Sequence, residues 1–178
     1  MNQDSGIRWC TNHEEDMSTA TTFKGVDLIN PFLKSAASVF NSMLGSQCFS
    51  GDIEPVAQGH HMHAVTSVIG LTGDMMGAIS ISMPEGTAFQ VLERMTGIQT
   101  NELDDFVRDV VGEMANMIGG QGKRDLAPFK LRLGLPQVIV GMDYAVYSPR
   151  WARHFWAPMT SDLGPFSLDI GFDLHRKG

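Results

Sequence analysis

The chain has 178 residues, 43% of them hydrophobic and 19% charged, with a formal net charge of -7. That length fits one domain with an unstapled core, and the composition excludes a disordered chain. The acidic balance argues against nucleic acid or an anionic membrane as the main partner. The two cysteines, Cys10 and Cys48, form no CxxC pair and fit a reduced cytosolic setting.

The first element, residues 1–24, is polar and without clear periodicity, and reads as a mobile N-terminal extension. Its start, MNQDSGIRWCTNHEED, lacks a basic end followed by an apolar stretch, so it does not read as a secretory signal. No later apolar run reaches the ~18 residues that a membrane span needs. A cytoplasmic protein is the expectation.

The folded domain is expected over residues 25–178. A short strand is predicted over 26–29. Asn30 then caps a helix that starts at Pro31, where the missing N–H does no harm. In PFLKSAASVFNSMLG the apolar residues recur at helical spacing, and Gly45 supplies the stop. The stretch AVTSVIGLTGDMMGAISISM places two apolar runs around Thr72-Gly73-Asp74. Ile79, Ile81 and Met83 alternate with Ser80 and Ser82, which predicts a hairpin with one wet face. Pro84 and Glu85 open a second helix that ends at Gly97, with Ala88, Val91, Leu92 and Met95 inward.

A third helix begins near residues 101–104 and contains DVVGEMANMIGGQGK, residues 109–123. Phe106, Val107, Val110, Val111, Met114, Met117 and Ile118 fall in a stripe about 120° wide, the core face. Asp109, Glu113 and Asn116 stand at i, i+4 and i+7 within an arc of about 60° on the polar side. Gly112, Ala115 and Gly119 beside that row leave the helix nearly bare, so a second protein could approach it closely. By spacing alone the row reads as an ordinary solvated helix face. Its chemistry allows more. A carboxamide offers an acceptor and two donors while staying neutral, so it can orient a water, and a carboxylate one turn away can pair with a partner's lysine. The two groups together suit a protein that completes another protein's active site. GGQGK, residues 119–123, lacks the spacing of a phosphate loop and reads as the helix terminus.

Beyond it, residues 137–147 predict one strand, and RWARHFWAPM, residues 150–159, fits a strand after a loop. Its arginines and aromatics could stack on single-stranded nucleic acid, but the acidic total favours core or interface packing. In PFSLDIGFDL, Phe166, Leu168, Ile170, Phe172 and Leu174 face one way and Ser167, Asp169, Gly171 and Asp173 the other. Such a strand could be an edge that pairs with a second chain, or one whose charges guard it. The histidines of HHMH, residues 60–63, read as surface residues, because only His61 and His63 share a face and no further ligand stands at zinc-like spacing. No metal site is expected in this chain. Helix, hairpin, two helices and then strands give an α/β (α+β-like) fold: a single-domain sandwich of mainly antiparallel β-sheet with three main helices.

Three segments in order, INPFLKSAASVFNSM, VIGLTGDMMGAISISMPEGTA and DVVGEMANMIGGQGK, resemble the CheX-type chemotaxis phosphatases, relatives of CheC and FliY. The resemblance runs from Val26 to Leu174. The family motif is an Asp or Ser, three residues, Glu, two residues and Asn, and Asp109, Glu113 and Asn116 match it. The resemblance implies hydrolysis of the aspartyl phosphate of a CheY-like response regulator. Asn116 would position the attacking water and Glu113 would pair with the regulator's active-site lysine. Asp109, Gly112, Glu113 and Asn116 would form the partner-binding set, with Asp109 at its rim. No cofactor is implied in this chain; Mg2+ is expected on the partner regulator. The first helix, with Ser35, Val39 and Ser42, lacks a second ExxN, so one site per chain is implied, as is a homodimer. The long polar tail and the aromatic run 151–156 have no counterpart in the family pattern. The alternative is a non-catalytic CheX-like binding module that sequesters a phosphorylated regulator.

Overall fold

A computed structural model describes residues 25–56, 60–147 and 152–173 of the chain. The reading of residues 1–24 as a mobile extension lies outside the described residues, as do those of Trp151 and Leu174. Among the described residues there are three helices, α1 (Gly25–Leu44), α2 (Glu85–Thr96) and α3 (Asp105–Asp125), and ten strands. The strands are β1 (Cys48–Ser50), β2 (Glu54–Val56), β3 (His60–His61), β4 (Val65–Gly73), β5 (Met76–Met83), β6 (Leu131–Leu133), β7 (Gln137–Val140), β8 (Ala145–Val146), β9 (Arg153–Ser161) and β10 (Gly164–Asp173). Eight form one antiparallel sheet in the order β1-β9-β10-β5-β4-β6, with β2 also on β9 and β7 also on β4; β3 and β8 pair separately.

The hairpin is where the alternating pattern placed it. Register pairs Ile69 with Ile79 and Ser67 with Ile81, and β10 continues the layer with Ile170 opposite Ile79 and Leu168 opposite Ile81. These apolar side chains meet Phe32, Phe40, Leu92, Met114 and Ile118 of the helices in one core. Phe40 stacks on Phe166 with ring centroids 4.4 Å apart, which pins α1 to β10. Gly73 at the hairpin turn has a φ of 127°, and a Cβ there would stand 1.9 Å from the Lys130 carbonyl oxygen, so only glycine fits.

Several expectations change. Residues 26–29 are the first turn of α1, not a strand, and Asn30 and Pro31 lie inside the helix rather than at its start. Leu28 and Ile29 are buried together with Phe32. Their burial outweighs the single backbone bond that Pro31 cannot donate, and a short apolar run does not by itself distinguish helix from strand. The expected strand over 137–147 is split into β7 and β8 by a turn in which Asp143 has a φ of 56°. The final strand β10 is not an edge: it lies between β9 and β5.

The second sheet face is not wet. Thr66, Ser80, Ser82, Ser167 and Asp169 are all buried. The segments around β3 and β8 fold over part of it and engage the Thr66 and Ser82 hydroxyls. Tyr144 Oη donates to Thr66 Oγ1 at 2.5 Å, Thr66 Oγ1 and Ser82 Oγ share a bond at 2.7 Å, and the His63 N–H donates to Ser82 Oγ at 2.8 Å. Asp169 Oδ1 lies 3.0 Å from His154 Nδ1, both side chains nearly enclosed. Small polar groups tolerate burial once each finds a partner.

Candidate functional site

The third helix earns its start from Asp104, which is extended and whose side chain accepts from the Val107 N–H at 3.1 Å. Acid in its first turn (Asp105) and base in its last (Lys123, Arg124) both suit the helix dipole. The helix runs unbroken through GGQGK to Asp125, so those glycines do not terminate it. Gly122 instead lies against α1, where a Cβ would stand 2.3 Å from Phe32 Cδ1.

The first helix holds α3 in register. Ser35 Oγ, buried, donates to the Ile118 carbonyl at 2.8 Å, and Gln121 Nε2 donates to Ser38 Oγ at 2.9 Å. Val39 is buried and Ser42 exposed. Of the positions that could have carried a second motif, Ser35 therefore supports the helix bearing the first, and Val39 belongs to the core.

Asp109, Glu113 and Asn116 are all solvent-exposed on one side of α3, spread along about 10 Å of helix. Among the described residues none of the three side chains takes part in a hydrogen bond or ion pair. The nearest cation in sequence, Arg108, is occupied: its guanidinium pairs with Asp105 and donates to the Leu103 carbonyl at 2.8 Å. The carboxylate of Glu113 and the amide of Asn116, one turn apart, are thus directed to solvent with their bonding capacity unspent. A cation and a water are what such a pair can take from outside.

The small residues beside the row are not bare surface. Gly112, Ala115 and Gly119 are buried. A Cβ at Gly112 would meet Val138 Cγ2 at 3.4 Å and Pro136 at 3.9 Å, and one at Gly119 would meet Leu133 at 3.5 Å. They mark where α3 lies close on β6, β7 and their connection, which corrects the expectation of a flat docking ledge at Gly112. The open small residue is Gly120, one turn past Asn116, where a Cβ would meet nothing within 4 Å. Its i+4 spacing from Asn116 was the available signal.

Phe106, expected in the core stripe, is 57% exposed, and Leu135 of the β6–β7 turn is 86% exposed. In the wheel Phe106 stands beside Glu113, at the margin of the apolar stripe, so a small rotation of the helix leaves it outside. Residues 153–159 of the aromatic run lie in β9, with Ala157 and Met159 buried and Phe155 packed against the core. His61 is exposed, and burial lowers the His63 imidazole below its usual range. Among the described residues no group of three or more His, Cys, Asp or Glu side chains could hold a metal ion, and no helix is long and apolar enough to cross a membrane.

Residues 65–160 match the family model described as chemotaxis phosphatase CheX. Over 151 residues the chain is 26% identical to the CheY-P phosphatase CheX of Thermotoga maritima, covering 83% of this chain and 93% of that one. The solved CheX structure from Vibrio vulnificus is 28% identical, with a TM-score of 0.76 over 83% of this chain and 99% of its own. A CheX–CheY–BeF3–Mg2+ complex from Borrelia burgdorferi shares the fold at 24% identity and a TM-score of 0.65, over 83% of this chain and 98% of that one.

Proposed function

The chain belongs to the chemotaxis phosphatase CheX family, and on that premise we propose that it hydrolyses the aspartyl phosphate of a CheY-like response regulator. The exposed Glu113 and Asn116, one turn apart and free of internal partners, carry the reading. The Asn116 carboxamide holds a water in line with the phosphorus. The water oxygen bonds to phosphorus, the acyl-phosphate P–O bond breaks, the regulator's carboxylate leaves, and inorganic phosphate departs. The leaving group is good, so orienting the nucleophile supplies much of the acceleration without a strong base.

Glu113 pairs with the lysine of the regulator's phosphorylation site and fixes the dock. Asp109 lies at the rim, and Gly112 contributes by letting α3 pack tightly rather than by touching the partner. The regulator brings the phosphorylated aspartate and the Mg2+. A homodimer acting in the cytoplasm completes the proposal.

The test is phosphate release from a receiver domain charged with a small-molecule phosphodonor and Mg2+, with and without this protein. Faster release that weakens in Glu113→Ala mainly through KM supports the proposal. Binding without faster release supports the sequestering module instead.

A further inference from the structure

We propose that Phe106 and Leu135 are the apolar anchors that seat the receiver domain over the Asp109–Glu113–Asn116 row, setting affinity and dryness rather than the chemical step. The proposal rests on the phosphatase reading of that row.

Phe106 lies three residues before Asp109 and seven before Glu113, on the same side of α3, and is 57% exposed. Its neighbours Val107 and Val110 are buried. A phenyl ring left in water forgoes the gain of burial, yet one exposed ring means little by itself. Leu135 is the second, independent observation. It stands 86% exposed at the tip of the turn between β6 and β7. Its neighbour Pro136 is set against Gly112, 3.9 Å from where a Cβ there would be. That contact raises the turn beside α3 at the level of Gly112, between Asp109 and Glu113 along the helix. Two large apolar side chains from different elements therefore stand at the end and the flank of one polar row.

The charge pattern narrows the occupant. The row presents two carboxylates, and Arg108 beside it is held by Asp105 and the Leu103 carbonyl. A partner must bring a cation to the centre and apolar surface to the margin. A receiver domain that brings its active-site lysine to the row and apolar surface to the margin would meet both demands. Contacts at a rim matter by excluding bulk water around the polar centre, which leaves the water held by Asn116 as the nucleophile.

Steady-state dephosphorylation against receiver concentration tests the proposal, alongside titration of the receiver charged with beryllium fluoride and Mg2+. Phe106→Ala and Leu135→Ser should each raise KM and the dissociation constant about tenfold, with kcat held within about twofold. Phe106→Leu should recover most of the affinity. Phe49→Ala, which removes an equally exposed ring from β1 at the other end of the sheet, should change neither. Unchanged affinity in both variants, or a fall in kcat alone, overturns the anchors. Binding that weakens in both variants while wild type fails to speed phosphate loss keeps the anchors and removes the phosphatase reading. A wild-type chain that neither binds nor dephosphorylates any charged receiver overturns both.

Discussion

Two glycines of α3, two positions apart, should respond to alanine with opposite sign. At Gly122 the added Cβ would lie 2.3, 2.7 and 2.9 Å from Cδ1, Cε1 and Cγ of Phe32. That ring is fully buried and braced by Phe172, centroids 6.0 Å apart, so it cannot turn aside alone. Overpacking of this kind costs about 1–3 kcal/mol, and contacts this short on three atoms of a braced ring put it at the upper end. Alanine returns about 1 kcal/mol of helix propensity. The net expectation for Gly122→Ala is a loss of about 2 kcal/mol, or about 4–8 °C in Tm for a chain of this size. At Gly120 nothing lies within 4 Å, so Gly120→Ala keeps the propensity gain of about 1 kcal/mol, about 2–4 °C upward. Urea and thermal unfolding of both variants measure this directly. Equal signs, or no loss at Gly122, would refute the close α1–α3 packing that holds the active face in place.

Acidification should destabilise the fold in part through His63. Burial lowers its folded pKa below the ordinary 6.5, so the unfolded chain binds more protons and stability falls as pH drops below about 6.5 through the lowered folded pKa; His63→Gln should flatten that loss, read by urea midpoints. Burial also pushes the Cys48 thiol up to about 11, so in a Cys10→Ser background its alkylation near pH 8 should track unfolding and rise steeply with denaturant. Rapid labelling of the native protein would contradict the buried environment of Cys48.

The parts of the fold legible in the sequence are those whose signal is local. Alternation identified β4, β5 and the two faces of β10, while Pro84 and Gly97 bracketed α2 within a residue. What local pattern does not carry is the identity of neighbours. Ser82 looks like part of a solvated face until the segments around β3 and β8 reach it, and Asp169 until His154 of β9 pairs with it. The alternation of β10 is the same at an edge or in the centre. Pro31 marks a helix start only if the preceding turn is not itself buried, and Leu28 and Ile29 are.

The candidate site divides in the same way. Asp109, Glu113 and Asn116 share a face by helical spacing alone, and the structure leaves them exposed. The burial of Gly112 is not visible in the helical spacing, because its neighbours, Pro136 and Val138, come from more than twenty residues away. The exposed Phe106 was assigned to the core because a ring at the margin of a stripe is placed by the tilt of the helix, which no heptad count supplies.

The most direct measurement is the decay of a phosphorylated receiver domain, in single turnover, with wild-type protein and with Asn116→Ala. Removing the group that places the water should lower the accelerated rate about 100-fold or more, while affinity for the beryllium-fluoride-charged receiver and the urea midpoint stay at wild-type values. An Asn116→Ala protein that still clears the phosphate at the wild-type rate would contradict the account at its centre.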